Sequence, residues 1–212
     1  IWDSYYSKNL ESLAWNNHNL PDYSVVKAVK QNLIIGPKVL DIGCGTGKNS
    51  LFLEQNGFEV YGIDISSVAI KNLNRKIKLK KNFVVGDILK YDYPPNFFNS
   101  AIDIGCFHML DNADRERYIA KLARILKPSA RIILRCFSEY GFLVKRFFPS
   151  DSKQCVVSPF LCFSSKEELI RVFSRDFKIL SINELFWSFL HEKDKIELVP
   201  GMYEFLMENS SA

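Results

Sequence analysis

The sequence predicts an α/β fold, a mostly parallel β-sheet covered on both faces by helices. Two observations carry this expectation. Between residues 38 and 137, five short apolar runs alternate with stretches of helical periodicity, the pattern of successive βαβ units. The first run, 39–42, is also short and mostly apolar, and reads as a buried parallel strand.

Residues 39–42 lie between Pro37 and a glycine cluster and form the first expected strand. Residues 48–56 follow as a helix closed by Gly57. The second strand is 58–63 and the second helix 66–79, with Ser66 or Ser67 as N-cap. The third strand, 83–85, ends at Gly86–Asp87. A loop with Pro94 and Pro95 leads to the fourth strand, 100–105. Residues 115–126 are a helix that stops before Pro128, and 131–137 are the fifth strand. Residues 138–163 are rich in aromatics, Ser, Pro and Cys and show no period. An irregular stretch of that length in a compact domain is usually functional. Order returns in a helix over 165–174, whose SSKEEL start has the capping-box pattern. Strands at 177–187 and 202–207 close the sheet, joined by a charged segment near His191 to Lys195. No repeat or composition break divides the chain, so residues 1–212 are expected to be one domain.

Composition narrows the function. With 212 residues, 47% of them hydrophobic, there is ample chain for a core. Net charge is only +4, and the basic run KNLNRKIKLKK (71–81) reads as a solvated helix face. A nucleic-acid stripe comes with a more basic domain and interleaved aromatics, so no nucleic-acid partner is expected. The five cysteines (Cys44, Cys106, Cys136, Cys155, Cys162) are odd in number, irregularly spaced and without a CxxC pair. That argues against a disulfide framework and a zinc site, and fits a reducing cytoplasm. No apolar run reaches about 18 residues, so no membrane span is expected. No leader pattern is visible.

The stretch KVLDIGCGTGKNSLFLEQNGFEVYGIDIS (38–66) holds the densest functional signal. A glycine-rich turn between a strand and a helix lets backbone approach a ligand, and the helix start offers free N–H groups there. Asp64 ends the next strand, where a carboxylate accepts hydrogen bonds from two ribose hydroxyls. A nucleoside ligand is expected. The spacing is not G-x-G-x-x-G, and Asp41 beside the turn suits a cation better than a pyrophosphate. Lys48 is followed by Asn49, which excludes a P-loop.

VLDIGCGTG, VYGIDIS and VVGDI resemble, in order and spacing, the first three motifs of class I S-adenosylmethionine-dependent methyltransferases. The resemblance covers residues 38 to 137 firmly and the tail more loosely. It implies a Rossmann-like, doubly wound, mostly parallel seven-stranded sheet of order 3-2-1-4-5-7-6 with the last strand antiparallel. It further implies S-adenosyl-L-methionine as cofactor, with S-adenosyl-L-homocysteine as product. Asp41 would help hold the methionine amino group, and Gly43, Cys44 and Gly45 would line the methionine part. Asp64 would bind the ribose, Ile65 would pack on the adenine, Asp87 would take the adenine amino group, and Ile88 would lie on the ring face.

The fourth strand ends in D-x-G-C-F-H (Asp103 to His108), where [ND]-P-P-[YF] would mark attack by a planar nitrogen. This pattern, with the aromatic opening IWDSYYSKN…LAW, is similar to the subgroup of thiopurine and tellurite-resistance methyltransferases. His108, on the loop that should face the acceptor, is the candidate base, and Cys106 would line the cofactor by its backbone rather than act as a nucleophile. Residues 1–36 would be a helical and aromatic lid segment, with Trp15 over the cofactor and Tyr6 toward the acceptor. Phe107 and Tyr140 would also face the acceptor, and residues 138–164 would be an insertion on that side. The aromatics favour a small, partly apolar acceptor. Transfer is an in-line displacement that requires alignment and exclusion of water. The competing readings are a methyltransferase acting on RNA or protein and a cofactor-binding module without catalysis. A monomer or homodimer is expected.

Overall fold

Seven strands form one sheet in the computed structural model, which describes residues 2–7, 20–139, 162–190 and 196–210. The strands are β1 (Lys38–Ile42), β2 (Glu59–Asp64), β3 (Phe83–Val85), β4 (Phe98–Ile104), β5 (Leu126–Phe137), β6 (Phe177–Leu190) and β7 (Ile196–Asn209). Their order is β3-β2-β1-β4-β5-β7-β6, and β7 runs antiparallel to both of its neighbours. The doubly wound, Rossmann-like sheet and its single antiparallel strand are therefore as expected. The helices are α1 (Trp2–Ser7), α2 (Tyr23–Lys30), α3 (Lys48–Gln55), α4 (Ser67–Leu73), α5 (Asn112–Ile125) and α6 (Lys166–Phe173).

Strand alternation splits the core into two layers. Leu40, Ile42, Ile63, Ala101, Ile132 and Leu134 pack with Tyr118 and Leu122 of α5 and Phe173 of α6. Val39, Val60, Ile102 and Ile133 pack with Val25 of α2, Leu53 of α3 and Leu73 of α4. Each such side chain contributes about 1.5–3 kcal/mol on burial. The exposed pairs Arg117–Asp114 and Arg175–Glu116 are worth about 0–1 kcal/mol, so apolar burial decides the fold. The pair Arg135–Asp22, 2.6 Å apart, is more sheltered. Asp22 also caps α2 by accepting from the Ser24 N–H, so one side chain fixes that helix to β5.

Several expected boundaries shift: β6 runs on to Leu190 and β7 begins at Ile196 rather than 202. The helix predicted over 66–79 ends at Leu73. Ile77 remains buried after the break, while Lys71, Arg75, Lys76, Lys78, Lys80 and Lys81 are exposed, so the basic run is solvated but mostly not helical. Crowded like charges oppose a further helical turn. The helix predicted from 115 begins at Asn112, because Asp111 accepts from the Asp114 N–H as its N-cap. It ends at Ile125, and β5 begins at once rather than at 131. Leu126 pairs with Phe98 and Arg131 with Ser100, so residues 127–130 bulge opposite Asn99. Pro128 sits in that bulge, with Ser129 at φ 61. The Asn209 amide donates to the carbonyls of Ala123, Leu126 and Lys127, closing the end of α5 from β7. Among the described residues no helix is long and apolar enough to cross a membrane.

Candidate active site

Strand order reverses between β1 and β4, and doubly wound sheets bind ligands in the crevice beyond the carboxyl ends of the strands at such a reversal. The turn after β1 lies at this reversal. Gly43, Gly45 and Gly47 all have positive φ, a conformation that other residues adopt only at a cost. The Gly43 and Cys44 N–H groups both donate to the Ile63 carbonyl, at 2.8 and 3.1 Å, tying the turn to β2. A Cβ on Gly43 would lie 2.9 Å from the Cys106 Cβ, and one on Gly45 would lie 2.8 Å from the Tyr6 hydroxyl. The β1 and β4 turns thus approach too closely for any side chain between them.

Three of the expected carboxylates stand at strand ends around this turn. Asp41 is buried in β1 and accepts from the Ser50 hydroxyl of α3 at 2.5 Å. Asp64, also buried, accepts from the Gly45 N–H on one oxygen and the Ser66 N–H on the other, both at 2.8 Å. Each oxygen keeps lone-pair capacity for a further donor. Asp87 is half-buried; one oxygen accepts from the Leu89 N–H at 2.9 Å, and Lys90 lies 3.6 Å from the other.

A fourth carboxylate was not among the sequence candidates. Asp103, fully buried in β4, accepts from the N–H groups of Cys106 and Phe107 and from the Tyr118 hydroxyl at 2.6 Å. It shapes the turn that brings Cys106 to Gly43. Its position at a strand end was legible in D-x-G-C-F-H; its partner Tyr118 was not.

The buried carboxylates are held near neutrality. Burial, with lesser contributions from Asp64 and Asp103, pushes Asp41 up to about 7 against the opposing Ser50 bond. Burial pushes Asp103 up to about 6 and raises Asp64 also. Burial lowers the pKa of Lys48, at the start of α3, while the charges of Asp22 and Asp41 both favour its ammonium form. From about pH 4 to 7 the folded chain keeps protons on Asp41 and Asp103 that the unfolded chain has released. Their contribution is full below pH 4 and is lost as pH rises through about 6 and 7. Thermal melts of the ligand-free chain should therefore show a fall in Tm between pH 5 and 8, shallower by several degrees in Asp41→Asn. Equal slopes in the two proteins would contradict the assignment.

The other expected site residues divide. Ile65 is 58% exposed just after β2. Ile88 turns inward instead, 6% exposed among the core side chains of Ile63, Tyr93 and Phe98. Val85, register-paired with Asp64, is half-exposed at the end of the neighbouring strand β3. The Cys44 side chain packs toward Gly62. Burial first, then nearby carboxylates, hold the thiols of Cys44 and Cys106 well above the ordinary range, so neither is a nucleophile at neutral pH. Tyr6 is buried on the glycine turn rather than placed at an acceptor.

Phe107 is a correction. It is fully buried, its ring packed against Tyr118 and Phe173 with the Arg115 guanidinium 4.7 Å above, so it cannot face an acceptor. His108 is a second correction. It is 6% exposed, and its ring centroid is 4.3 Å from that of Phe137. Burial, then the charges of Arg115 and Arg135, press its pKa down to about 3. The ring is neutral at pH 7 and a poor proton acceptor. Arg115 itself donates to the Ser164 hydroxyl and the Cys162 carbonyl, anchoring the chain after the 138–163 stretch. The residues expected as Trp15 over the cofactor and Tyr140 at the acceptor, with most of the 138–164 segment, lie outside the described residues.

Comparison with known proteins agrees with this geometry. The profile of the family described as "Methyltransferase domain" matches residues 39–129. An uncharacterised methyltransferase of Schizosaccharomyces pombe is 39% identical over 104 residues, 48% of this chain and 72% of that protein. A solved methyltransferase from Methanosarcina mazei, described as S-adenosylmethionine-dependent, superposes with a TM-score of 0.66 at 23% identity, covering 90% of this chain and 99% of that one. A structure from work on conversion of a disulfide bond into a thioacetal group during echinomycin biosynthesis gives 0.78 at 23% identity, over 98% and 90%. The matched segment carries the glycine turn and the three strand-end carboxylates, and the chain belongs to the class I S-adenosylmethionine-dependent methyltransferases.

Proposed function

We propose that the chain transfers a methyl group from S-adenosylmethionine to a small-molecule acceptor by in-line displacement. The observation that carries the reading is the placement of Asp41, Asp64 and Asp87 at the strand ends around a turn built on Gly43, Gly45 and Gly47. Asp41 and Asp64 are buried there and held by hydrogen bonds from Ser50, Gly45 and Ser66. Such a site is complementary to a ligand with a positive charge and a vicinal diol. The Gly43–Gly45 backbone and Asp41 would receive the methionine end, Asp64 the ribose hydroxyls, and Ile65 with Val85 the adenine. The Asp87 oxygen that faces Lys90 has acceptor capacity left and would take the adenine amino group. When bound, the cofactor supplies the electrophilic methyl carbon.

The chain's own residues supply position and dryness. The Asp103 clamp fixes the β4 turn, and Cys106 meets Gly43 there. Phe137 and Phe163, with ring centroids 5.8 Å apart, extend an aromatic wall from His108 on the acceptor side. A neutral, buried His108 fits an acceptor that arrives with its lone pair free, as a thiolate, a neutral amine or a metalloid oxyanion. The four described cysteines are free thiols, in keeping with a cytoplasmic setting.

A panel of thiol, amine, hydroxyl and carboxylate acceptors with labelled methyl donor tests the proposal. Label should enter at least one small acceptor, with S-adenosylhomocysteine formed in equal amount. Label entering only RNA or protein would overturn it. With an acceptor in hand, His108→Ala should lower kcat by disturbing the Phe137 contact but leave the shape of the pH–rate profile between pH 6 and 8 unchanged. A limb lost from that profile would restore His108 as a base.

A further inference from the structure

We propose that Asp3 is a positioning residue that latches α1 onto the rim of the crevice and so sets the rate at which the spent cofactor leaves. The inference rests on the cofactor reading above. Asp3 accepts three hydrogen bonds from the start of α4: from the Ser66 hydroxyl at 2.6 Å, the Ser67 hydroxyl at 3.0 Å and the Val68 N–H at 3.1 Å. These donors begin two residues after Asp64. Ser66 joins the two carboxylates: its N–H donates to Asp64 at 2.8 Å, its hydroxyl donates to Asp3, and the same oxygen accepts from the Ala69 N–H.

One turn farther along α1, Tyr6 is buried with Ala69, and its hydroxyl stands 2.8 Å from where a Cβ of Gly45 would be. Gly45 in turn donates to the second oxygen of Asp64. The carboxylate expected to hold the ribose is thus bonded on one side to the residue beneath the latch and on the other to the residue beneath Tyr6. A ligand lying on the glycine turn is covered by α1 while Asp3 is engaged.

The latch is built to release. Ser66 and Tyr6 are buried, but Asp3 is exposed. Water can therefore replace the bonds of Asp3 as α1 lifts, and solvent screening keeps its contribution small. A six-residue helix is also too short to persist alone, so docking on α4 and order within α1 should be gained and lost together.

Stopped-flow release of S-adenosylhomocysteine from wild type and Asp3→Ala, paired with amide hydrogen exchange of the ligand-free proteins, tests this. Asp3→Ala should release product roughly three- to tenfold faster, with exchange across residues 2–7 accelerated and Tm essentially unchanged. Ser67→Ala, which removes one of the three bonds, should fall between. Unchanged release and exchange in Asp3→Ala would overturn the latch while leaving the cofactor site standing. Wild type that binds neither form of the cofactor would overturn the cofactor reading, and the proposed control of product release with it.

Discussion

Replacing Asp64 by asparagine should weaken binding of S-adenosylmethionine and S-adenosylhomocysteine about 100-fold or more. The carboxylate already accepts the N–H groups of Gly45 and Ser66, one on each oxygen, and still has an acceptor direction on each. Two ribose hydroxyls can fill those directions. Hydrogen bonds to a charged acceptor contribute about 1.5–3 kcal/mol each, so the pair is worth roughly 3–6 kcal/mol, or two to four decades in Kd. Asparagine preserves shape but presents an NH2 to one of the two backbone N–H groups, which misaligns the turn as well as removing charge. Both forms of the cofactor carry the ribose, so both should lose affinity alike. Titration of the folded variant, checked by circular dichroism, reads the effect; a change under threefold would remove Asp64 from the site.

Gly47→Ala should destabilise the fold by about 2–4 kcal/mol. Gly47 precedes α3 with φ 81, and an added Cβ would stand 2.0 Å from Cδ1 and 3.0 Å from Cγ of the fully buried Leu73. The left-handed conformation costs an alanine about 1–2 kcal/mol, and crowding a packed core adds about 1–3 kcal/mol. For a chain of this size each kcal/mol lowers Tm by about 2–4 °C, so a drop of roughly 5–15 °C is expected. Gly57→Ala separates the two causes. Its φ of 87 is equally unfavourable, but nothing lies within 4 Å of the added Cβ, so only the strain of about 1–2 kcal/mol should appear. Equal losses in the two variants would show that the Leu73 contact costs nothing.

The parts of this site that the sequence revealed are those built from neighbours along the chain. Asp41 and the three glycines share one strand–turn–helix unit, and Asp64 and Asp87 each end an apolar run, so a short-range pattern located them. The parts it concealed depend on packing between distant segments. Asp3 meets Ser66 across 63 residues, and nothing in IWDSYYSKN distinguishes that aspartate from a solvated one. Phe107 and His108 looked like acceptor residues because they follow a strand end. Whether such residues face the crevice or the core is settled by the Asp103 clamp and by Arg115, whose guanidinium covers the Phe107 ring. Arg115 had a faint signal, a cation in register with Tyr118, Ile119 and Leu122 on the apolar stripe of α5, where arginine is unusual. Ile88 was misjudged for a similar reason, since an apolar residue after Asp87 can serve the ring or the core equally well. The early end of α4 was hidden because Ile70, Leu73 and Ile77 keep helical spacing across the break.

Titration calorimetry of the intact chain with S-adenosylmethionine at pH 7, repeated in two buffers of different ionisation heat, tests the central claim most directly. A cation placed beside Asp41, whose pKa lies near 7 in the ligand-free chain, must drive off the proton that the carboxyl shares with the folded state. The account predicts saturable binding at one site, with a buffer-dependent heat reporting release of a fraction of a proton, and loss of that release in Asp41→Asn. Folded protein that takes up no S-adenosylmethionine, or takes it up with no proton released, would contradict it.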